Sequence, residues 1–386
     1  MYQIKTLNKI SKNGLDRFNA NYNCADEMDA PDAILVRSAS MHEMEMPESL
    51  LAIARAGAGV NNIPCDKCAE QGIVVFNTPG ANANAVKELV LAGLLMCSRK
   101  VLPAIEWAKT LKGNGAEVGK MVEKGKGAFA GPEIMGKKLG VIGLGAIGIL
   151  VANAASALGM DVYGYDPYLS VDAAWKLSRS IKHAADMKEI FAECDYITVH
   201  VPLTPDTKGF INNDSIATMK DGVRILNFAR GDLVDSAAII DALANGKVAA
   251  YVTDFPSDEV IGVDGVIAIP HLGASTPESE ENCAVMAADE IREYLENGNI
   301  VNSVNMPNVV VPRSTEVRVC IIHNNIPNMI AQISAAVSAC NINIEKLNNQ
   351  SRKDFAYSIL DVESIDDAAI QGIKAIDGVI RVRVIK

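Results

Sequence analysis

Residues 139–148 read LGVIGLGAIG, an apolar run that breaks into Gly143-x-Gly145-x-x-Gly148. The run predicts a buried parallel strand, and the uncharged residues 149–158 after it predict a helix. Each glycine has a mechanical reason, because Gly143 permits a tight turn, Gly145 lets a phosphate approach the backbone, and Gly148 lets the helix pack against the strand. The start of the helix offers free N–H groups to that phosphate. The stretch therefore predicts a dinucleotide-binding site.

A second apolar strand is predicted over residues 161–165, and it ends at Asp166. The fingerprint places a carboxylate for the ribose hydroxyls about 20 residues after the glycines, where Asp166 lies. Pro167 and Tyr168 follow Asp166, with no arginine to accommodate a 2′-phosphate, so the pattern favours NAD over NADP. Contacts with the cofactor are expected from Gly143, Gly145, Ala146, Ile147, Gly148 and Asp166.

Short apolar strands alternate with helical stretches on both sides of this motif, which predicts an α/β fold with doubly wound parallel sheets. Further strands are predicted at residues 33–36, 51–54, 73–76, 196–200, 223–228, 248–252 and 265–269. One long helix over residues 86–112 is expected to cross between two domains. A second helix, over residues 278–296, is expected to carry the chain back.

Three domains are predicted from this pattern. Residues 1–92 with 292–312 form a substrate-binding domain, and residues 93–291 form a Rossmann-like nucleotide-binding domain. From residue 316 to residue 386 the predicted order is strand–helix–strand–strand–helix–strand, which is the order of a small ferredoxin-like domain.

The composition excludes several classes of partner. A net charge of −11 and the lack of a basic cluster argue against nucleic acid. No signal-peptide core begins the sequence and no apolar run is long enough for a bilayer, so a cytoplasmic protein without a membrane partner is expected. Eight cysteines include one close pair, Cys65-x-x-Cys68, without the second pair or histidines of a zinc site. No metal is predicted.

Two arginines follow neighbouring predicted strands, Arg37 after residues 33–36 and Arg55 after residues 51–54. Ligands of parallel α/β sheets bind beyond the carboxyl ends of the strands. The Gly57-x-Gly59 turn beside Arg55 offers backbone N–H groups as well. An anion site is therefore predicted at this edge.

Three further residues at predicted strand ends suit a hydride transfer between nicotinamide and a hydroxy acid. That reaction needs a cation for the carboxylate, a base for the hydroxyl proton, and an acid that orients the base. Arg230, His271 and Glu259 fit these roles in that order. Asp258 competes with Glu259 for the role of the acid.

The motifs at residues 139–148, 227–231 and 270–273 resemble those of the D-isomer-specific 2-hydroxyacid dehydrogenases. With a C-terminal unit similar to ACT domains, nearly the whole chain resembles the compact D-3-phosphoglycerate dehydrogenases of that family. The resemblance implies Arg230, Glu259 and His271 as the catalytic trio. It implies NAD-dependent oxidation of 3-phosphoglycerate as the first step of L-serine biosynthesis, in a homodimer or homotetramer.

The resemblance also implies further site residues. Additional cofactor contacts are expected from His200, Val201, Pro202, Phe228, Ala229, Asp254, Gly273 and Ala274. Substrate contacts are expected from Arg37, Arg55, Gly57 and Asn61. An L-serine effector is expected at His323, Asn325 and Asn343 of the ACT-like domain.

The chain departs from the family pattern at three places. Ala146 replaces a polar residue of the glycine motif, the acidic segment at residues 254–260 is altered, and Asn328 replaces a glycine of the effector turn. Asparagine tolerates left-handed backbone angles, so the turn is expected to persist. Two alternatives stay open, namely a dehydrogenase for another D-2-hydroxy acid such as glycerate or lactate, and a corepressor-like scaffold that senses NADH.

Overall fold

The first elements of the chain form a parallel sheet in a computed structural model that describes residues 1–386. They are β1 (Tyr2–Leu7), α1 (Lys12–Leu15), β2 (Tyr22–Ala25), β3 (Ala33–Val36), β4 (Ala52–Arg55), α2 (Cys65–Glu70) and β5 (Val74–Phe76). The strand order is β2-β1-β3-β4-β5, and all four residues of β3 are buried. The predicted strands correspond to β3, β4 and β5. β1 and β2 were not predicted, because polar residues interrupt their apolar ones.

A second parallel sheet has seven strands. Its unit contains α3 (Ala83–Arg99), α4 (Val101–Thr110), α5 (Val118–Gly125), β6 (Lys138–Ile142), α6 (Ala146–Ala157), β7 (Asp161–Tyr165), α7 (Val171–Ala174), β8 (Lys182–His183), α8 (Met187–Glu193), β9 (Tyr196–Val199), α9 (Asn213–Ala217), β10 (Val223–Asn227), α10 (Ser236–Ala244), β11 (Val248–Thr253) and β12 (Val266–Ala268). The order is β12-β11-β10-β9-β6-β7-β8, so the direction of winding reverses between β6 and β9. Ligands of such sheets bind at this reversal.

The single helix predicted over residues 86–112 is wrong. Lys100 has a left-handed φ of +48°, which ends α3 and separates it from α4. A lysine at such an angle is uncommon. Pro103 lies three residues further on, and a proline ring clashes with the carbonyl four residues before it, which is that of Arg99, the last residue of α3.

The chain returns to the first sheet through α11 (Pro277–Asn297), which packs against β3 and β4. The structure divides into two compact units, Met1–Asn82 with Pro277–Lys386, and Ala83–Thr276. These divisions fall where α3 and α11 begin. The predicted domain boundaries at residues 92 and 291 lie inside those two helices.

The last elements form a four-stranded antiparallel sheet within the first unit. They are β13 (Val317–Asn324), α12 (Met329–Ala339), β14 (Ile344–Arg352), β15 (Phe355–Val362), α13 (Asp367–Lys374) and β16 (Val379–Ile385). The sheet order is β14-β15-β13-β16. The chain order is the predicted strand–helix–strand–strand–helix–strand order.

One buried arginine and one half-buried arginine attach this C-terminal sheet to the last turn of α11. Arg318 is fully buried and pairs in a two-pronged manner with Asp361, at 2.7 and 2.9 Å. A third nitrogen of Arg318 donates to the carbonyl of Asn297 at 2.8 Å, and Arg383 donates to the carbonyl of Tyr294 at 2.9 Å. Helix C-termini leave carbonyls without helical partners, and Arg318 satisfies that of Asn297. The Tyr294 carbonyl accepts the backbone N–H of Gly298 at 2.9 Å as well as Arg383.

None of the helices combines the length and the apolar character that crossing a membrane requires.

Candidate active site

The turn after β6 is shaped by two glycines that packing requires and one that it does not. Gly143 has a φ of +93°, and a Cβ there would lie 2.6 Å from the carbonyl oxygen of His200. A Cβ at Gly148 would lie 1.9 Å from the carbonyl oxygen of Gly143. Gly145 precedes α6 and faces open space, because a Cβ there would meet no atom within 4 Å. The first turn of α6, with Ala146 and Ile147, thus opens toward room for a phosphate.

Asp166 ties the glycine turn to the end of β7. One carboxylate oxygen accepts the backbone N–H of Leu144 at 2.9 Å, and the other accepts that of Tyr168 at 2.8 Å. The half-buried carboxylate therefore orders the turn at the same position from which a ribose would be bound.

His200 lies across the winding reversal, directly after β9. Its backbone N–H donates to the carbonyl of Ile142 at 2.8 Å, and its ring Nε2 lies 3.0 Å from Thr198 Oγ1. Its Nδ1 is buried without a hydrogen-bond partner. Burial lowers the pKa of the imidazole to about 4, so the ring is neutral at neutral pH. Val201 is half-buried and Pro202 is exposed in the loop that follows.

Asp254 follows β11 and is 1% exposed. One oxygen accepts the backbone N–H of Gly273 at 3.3 Å, and the other has no partner. Burial raises the pKa of this carboxyl, and the positive charges of His271 and Arg230 act against that rise. A buried acceptor without a partner is unfavourable until a donor satisfies it. Ala274, next to Gly273, is half-buried.

Asn227, which was not among the predicted site residues, positions Arg230. Asn227 is fully buried at the end of β10 and donates to the carbonyl of Arg230 at 2.8 Å. Its side-chain oxygen accepts the N–H of Ala229 at 3.2 Å. The exposed Arg230 is thereby held on a defined turn, whereas Phe228 is 5% exposed and packs in the core. The available signal was a polar residue directly after the apolar residues Ile225 and Leu226, at the end of the strand.

His271 is exposed, and its ring packs against Phe255 with the centroids 4.6 Å apart. Glu259 and Asp258 are exposed in the turn after β11, and neither forms a hydrogen bond or an ion pair with His271. The structure therefore brings His271 and Arg230 near Asp254 but does not pair His271 with either proposed acid. Both acids remain predictions for that role.

The structure brings the two arginines of the first unit together. β3 and β4 are paired in parallel with Val36 opposite Arg55, and Arg55 Nε donates to the carbonyl of Arg37 at 2.9 Å. A Cβ at Gly59 would lie 2.7 Å from Arg55 Nη1, so the guanidinium lies directly against this glycine. Gly57 lies beside the same guanidinium, whereas Asn61 is exposed.

The predicted effector residues are not equally accessible. His323 is 2% exposed, with Nδ1 2.8 Å from the carbonyl of Asn324 and Nε2 3.0 Å from Ser358 Oγ. Asn325 and Asn343 are exposed. Asn328 has a φ of +70°, so the expected left-handed turn is confirmed.

The residues at the winding reversal fit a dinucleotide. Gly145 leaves room before α6, Asp166 is placed for a ribose, and His200 and Asp254 each present a buried polar atom without a partner. No group of three or more His, Cys, Asp or Glu side chains is arranged to hold a metal ion.

Comparison with known proteins decides the family. The sequence pattern described as "D-isomer specific 2-hydroxyacid dehydrogenase, NAD binding domain" matches residues 91–273. The chain is 34% identical over 355 residues to a D-3-phosphoglycerate dehydrogenase of Haemophilus influenzae, covering 89% of this chain and 83% of that protein. The chain belongs to the D-isomer-specific 2-hydroxyacid dehydrogenase family. The family, the class of enzyme and the NAD cofactor predicted from the sequence are therefore confirmed.

Other members of the family add detail. A hydroxypyruvate reductase of Thermotoga maritima is 39% identical over 276 residues, covering 68% of this chain and 85% of that protein. The NAD⁺-bound crystal structure of a 3-phosphoglycerate dehydrogenase from Entamoeba histolytica superposes with a TM-score of 0.61 at 26% identity, covering 79% of this chain and 98% of that one. The chain spans only 52% to 59% of the length of several other D-3-phosphoglycerate dehydrogenases that it matches.

Proposed function

We propose that the protein oxidises 3-phospho-D-glycerate at C2 with NAD, giving 3-phosphooxypyruvate for L-serine biosynthesis. The observation that carries the proposal is the pair Arg37 and Arg55 on adjacent strands, joined by the Arg55–Arg37 hydrogen bond of 2.9 Å. Two guanidinium groups suit a substrate that carries a phosphate as well as a carboxylate, because arginine binds both groups in a two-pronged manner. Relatives named D-3-phosphoglycerate dehydrogenase support the same substrate.

The cofactor is held, in this proposal, by the glycine turn, Asp166 and the unpaired oxygen of Asp254. NAD when bound supplies the hydride acceptor. The Asp254 oxygen suits an amide N–H₂ donor, since a carboxylate only accepts hydrogen bonds. The neutral His200 adds a polar group without a charge at that edge.

The chain's own groups then perform the proton chemistry. His271 removes the proton from the C2 hydroxyl as the hydride leaves, because a neutral imidazole has a ring nitrogen that can accept a proton. Arg230, on the turn that Asn227 fixes, binds the carboxylate and stabilises the developing carbonyl oxygen. Glu259, or Asp258 in its place, orients the imidazole and stabilises its cationic form once the loop brings it within hydrogen-bond reach.

A second candidate is the reduction of an unphosphorylated 2-keto acid such as hydroxypyruvate. It is favoured by the similarity to the Thermotoga maritima hydroxypyruvate reductase and by the ion pair that already engages Arg37. A substrate with one carboxylate does not need that guanidinium.

The C-terminal unit is proposed to act as an ACT-like effector domain for L-serine. Asn325 and Asn343 are exposed and serve as the contacts. His323 is not a direct contact in this proposal, since both of its ring nitrogens already have protein partners. Its role is to hold the surrounding backbone and side chains in place.

The protein is proposed to form a homodimer, or a homotetramer built from it. α4 has no buried residue, and its apolar side chains Val101, Leu102 and Ile105 are 40% to 47% exposed. Met121 and Val122 of α5 are exposed as well. A monomeric mass in light scattering would contradict this proposal. The cytoplasmic location stays a prediction.

The test is NADH consumption with 3-phosphooxypyruvate beside hydroxypyruvate, pyruvate and glyoxylate, each with and without L-serine. We expect the highest kcat/KM for the phosphorylated acid and inhibition by serine. Preference for hydroxypyruvate would replace the first candidate by the second. An unchanged rate with serine would remove the effector proposal and leave the reaction standing.

A further inference from the structure

The guanidinium of Arg37 already has a carboxylate partner within its own unit. Glu280, in the first turn of α11, forms an ion pair with Arg37 Nη2. Both side chains are 44% exposed, so a solute can reach the pair. The other nitrogens of Arg37 make no hydrogen bond to the protein, so the ion pair occupies one side of the guanidinium.

Glu280 is held at this edge by the packing of its helix. Ala284 and Ala287, further along α11, are buried in the core formed with β3 and β4. Cys283 is 5% exposed, and although burial raises the pKa of its thiol, the nearby charges of Arg37 and Arg55 lower it. The start of α11 therefore lies beside Arg37, which Glu280 contacts directly. A carboxylate at a helix N-terminus is also stabilised by the helix dipole.

We propose that Glu280 competes with the substrate phosphate for Arg37 and so determines specificity between phosphorylated and unphosphorylated acids. The inference rests on the proposed function for the identity of the substrate. A phosphate that approaches Arg37 meets the carboxylate of Glu280, which repels it and must give up its partner. An acid without a phosphate leaves the pair intact. The same competition favours release of the phosphorylated product.

The experiment compares Glu280→Gln with Glu281→Gln. Glu281 is the exposed next residue of α11 with no hydrogen bond or ion pair, so its replacement removes the same charge from a neighbouring position of the helix. Binding of 3-phosphoglycerate and of D-glycerate is measured by calorimetry, and KM by steady-state kinetics. An exposed ion pair of this kind is expected to change the affinity by about threefold. E280Q is expected to bind 3-phosphoglycerate that much more tightly, with D-glycerate unchanged, whereas E281Q changes neither.

Weaker binding of 3-phosphoglycerate by E280Q would overturn the proposal, because Glu280 would then be positioning Arg37. An equal gain in 3-phosphoglycerate affinity in E280Q and E281Q would also overturn it, since the gain would then come from the lower net negative charge and not from the Arg37–Glu280 pair. The gain must disappear in the Arg37→Met background.

Titration with inorganic phosphate separates this inference from the proposed function. Tighter phosphate binding by E280Q, in a protein that prefers unphosphorylated acids, would keep the competition and remove the substrate assignment. Phosphate binding that E280Q leaves unchanged would remove the competition itself.

Discussion

The two sheets of this protein treat the polar groups at their carboxyl edges in opposite ways. At the edge of the seven-stranded sheet, His200 and Asp254 each keep a buried polar atom without a protein partner. At the edge of the five-stranded sheet, Arg37 and Arg55 are engaged with protein groups and lie in reach of water. A buried unpaired atom favours a ligand that satisfies it, whereas an engaged guanidinium must exchange one partner for another. The edge of the seven-stranded sheet is therefore preformed for a ligand. At the edge of the five-stranded sheet, a ligand must replace the protein partners of the arginines.

The largest test of the preformed edge is His271→Asn. Asparagine cannot take up a proton, so kcat is expected to fall by about 10²- to 10⁴-fold. NADH affinity, measured by fluorescence titration, is expected to persist because the glycine turn and Asp254 are untouched. His183→Asn, an exposed histidine on β8, is the matched control. A loss of less than tenfold in H271N would remove His271 from the role of the base.

The glycines allow the preformed edge to be broken in two different ways. Gly148→Ala places a methyl group 1.9 Å from a backbone oxygen, so the free energy of unfolding is expected to fall by about 1–3 kcal/mol. Gly145→Ala meets no protein atom and is expected to keep the stability but weaken NADH binding. Thermal unfolding and fluorescence titration separate the two effects. NADH affinity of wild-type strength in G145A would show that no phosphate approaches that residue.

The smallest expected effect is on stability and concerns Glu290, a buried acid of the first unit that forms no ion pair. Glu290 is 7% exposed, and one oxygen accepts a hydrogen bond from Asn302 at 2.7 Å while the other has no partner. Burial raises the pKa of its carboxyl to about 8, against about 4.3 in an unfolded chain. The Glu290 carboxyl therefore keeps its proton below about pH 8 and carries no buried charge. No ligand is needed to satisfy it.

Between those two pH values the folded state keeps a proton that the unfolded state loses. The free energy of unfolding therefore falls as the pH rises from about 4.3 to about 8. Glu290→Gln is neutral throughout and is expected to exceed the wild type at pH 8 by on the order of 1–2 kcal/mol, with a smaller difference at pH 5. Thermal unfolding at both values measures this, with E281Q as the control. Identical pH profiles for E290Q and the wild type would mean that Glu290 is ionised in the folded protein.

Features that depend on the local backbone were predictable from the sequence. The glycine turn, Asp166 and most strands of both parallel sheets follow from residue types that only a few backbone conformations favour. The predicted strand at residues 161–165 has the bounds of β7, and the predicted strand at residues 33–36 has those of β3.

Features that depend on distant partners were not predictable. The ion pair of Arg37 with Glu280 joins residues 243 positions apart, and no local pattern announces it. The break at Lys100 is different, because Pro103 is a local signal for it that the prediction of one helix over residues 86–112 did not take into account. The sequence shows Asn227 only as a polar residue at a strand end. Its role in positioning Arg230 depends on two hydrogen bonds to the following turn, which the structure shows.

The long helix α11 gives this arrangement a mechanical consequence. It runs for 21 residues without a break, which is about 30 Å. Arg318 and Arg383 of the C-terminal sheet donate hydrogen bonds to carbonyls of its last turn. At its other end, Glu280 of the first turn forms the ion pair with Arg37. The backbone hydrogen bonds of α11 continue from its first turn to its last. One continuous helix therefore joins the C-terminal sheet to the Arg37–Glu280 ion pair.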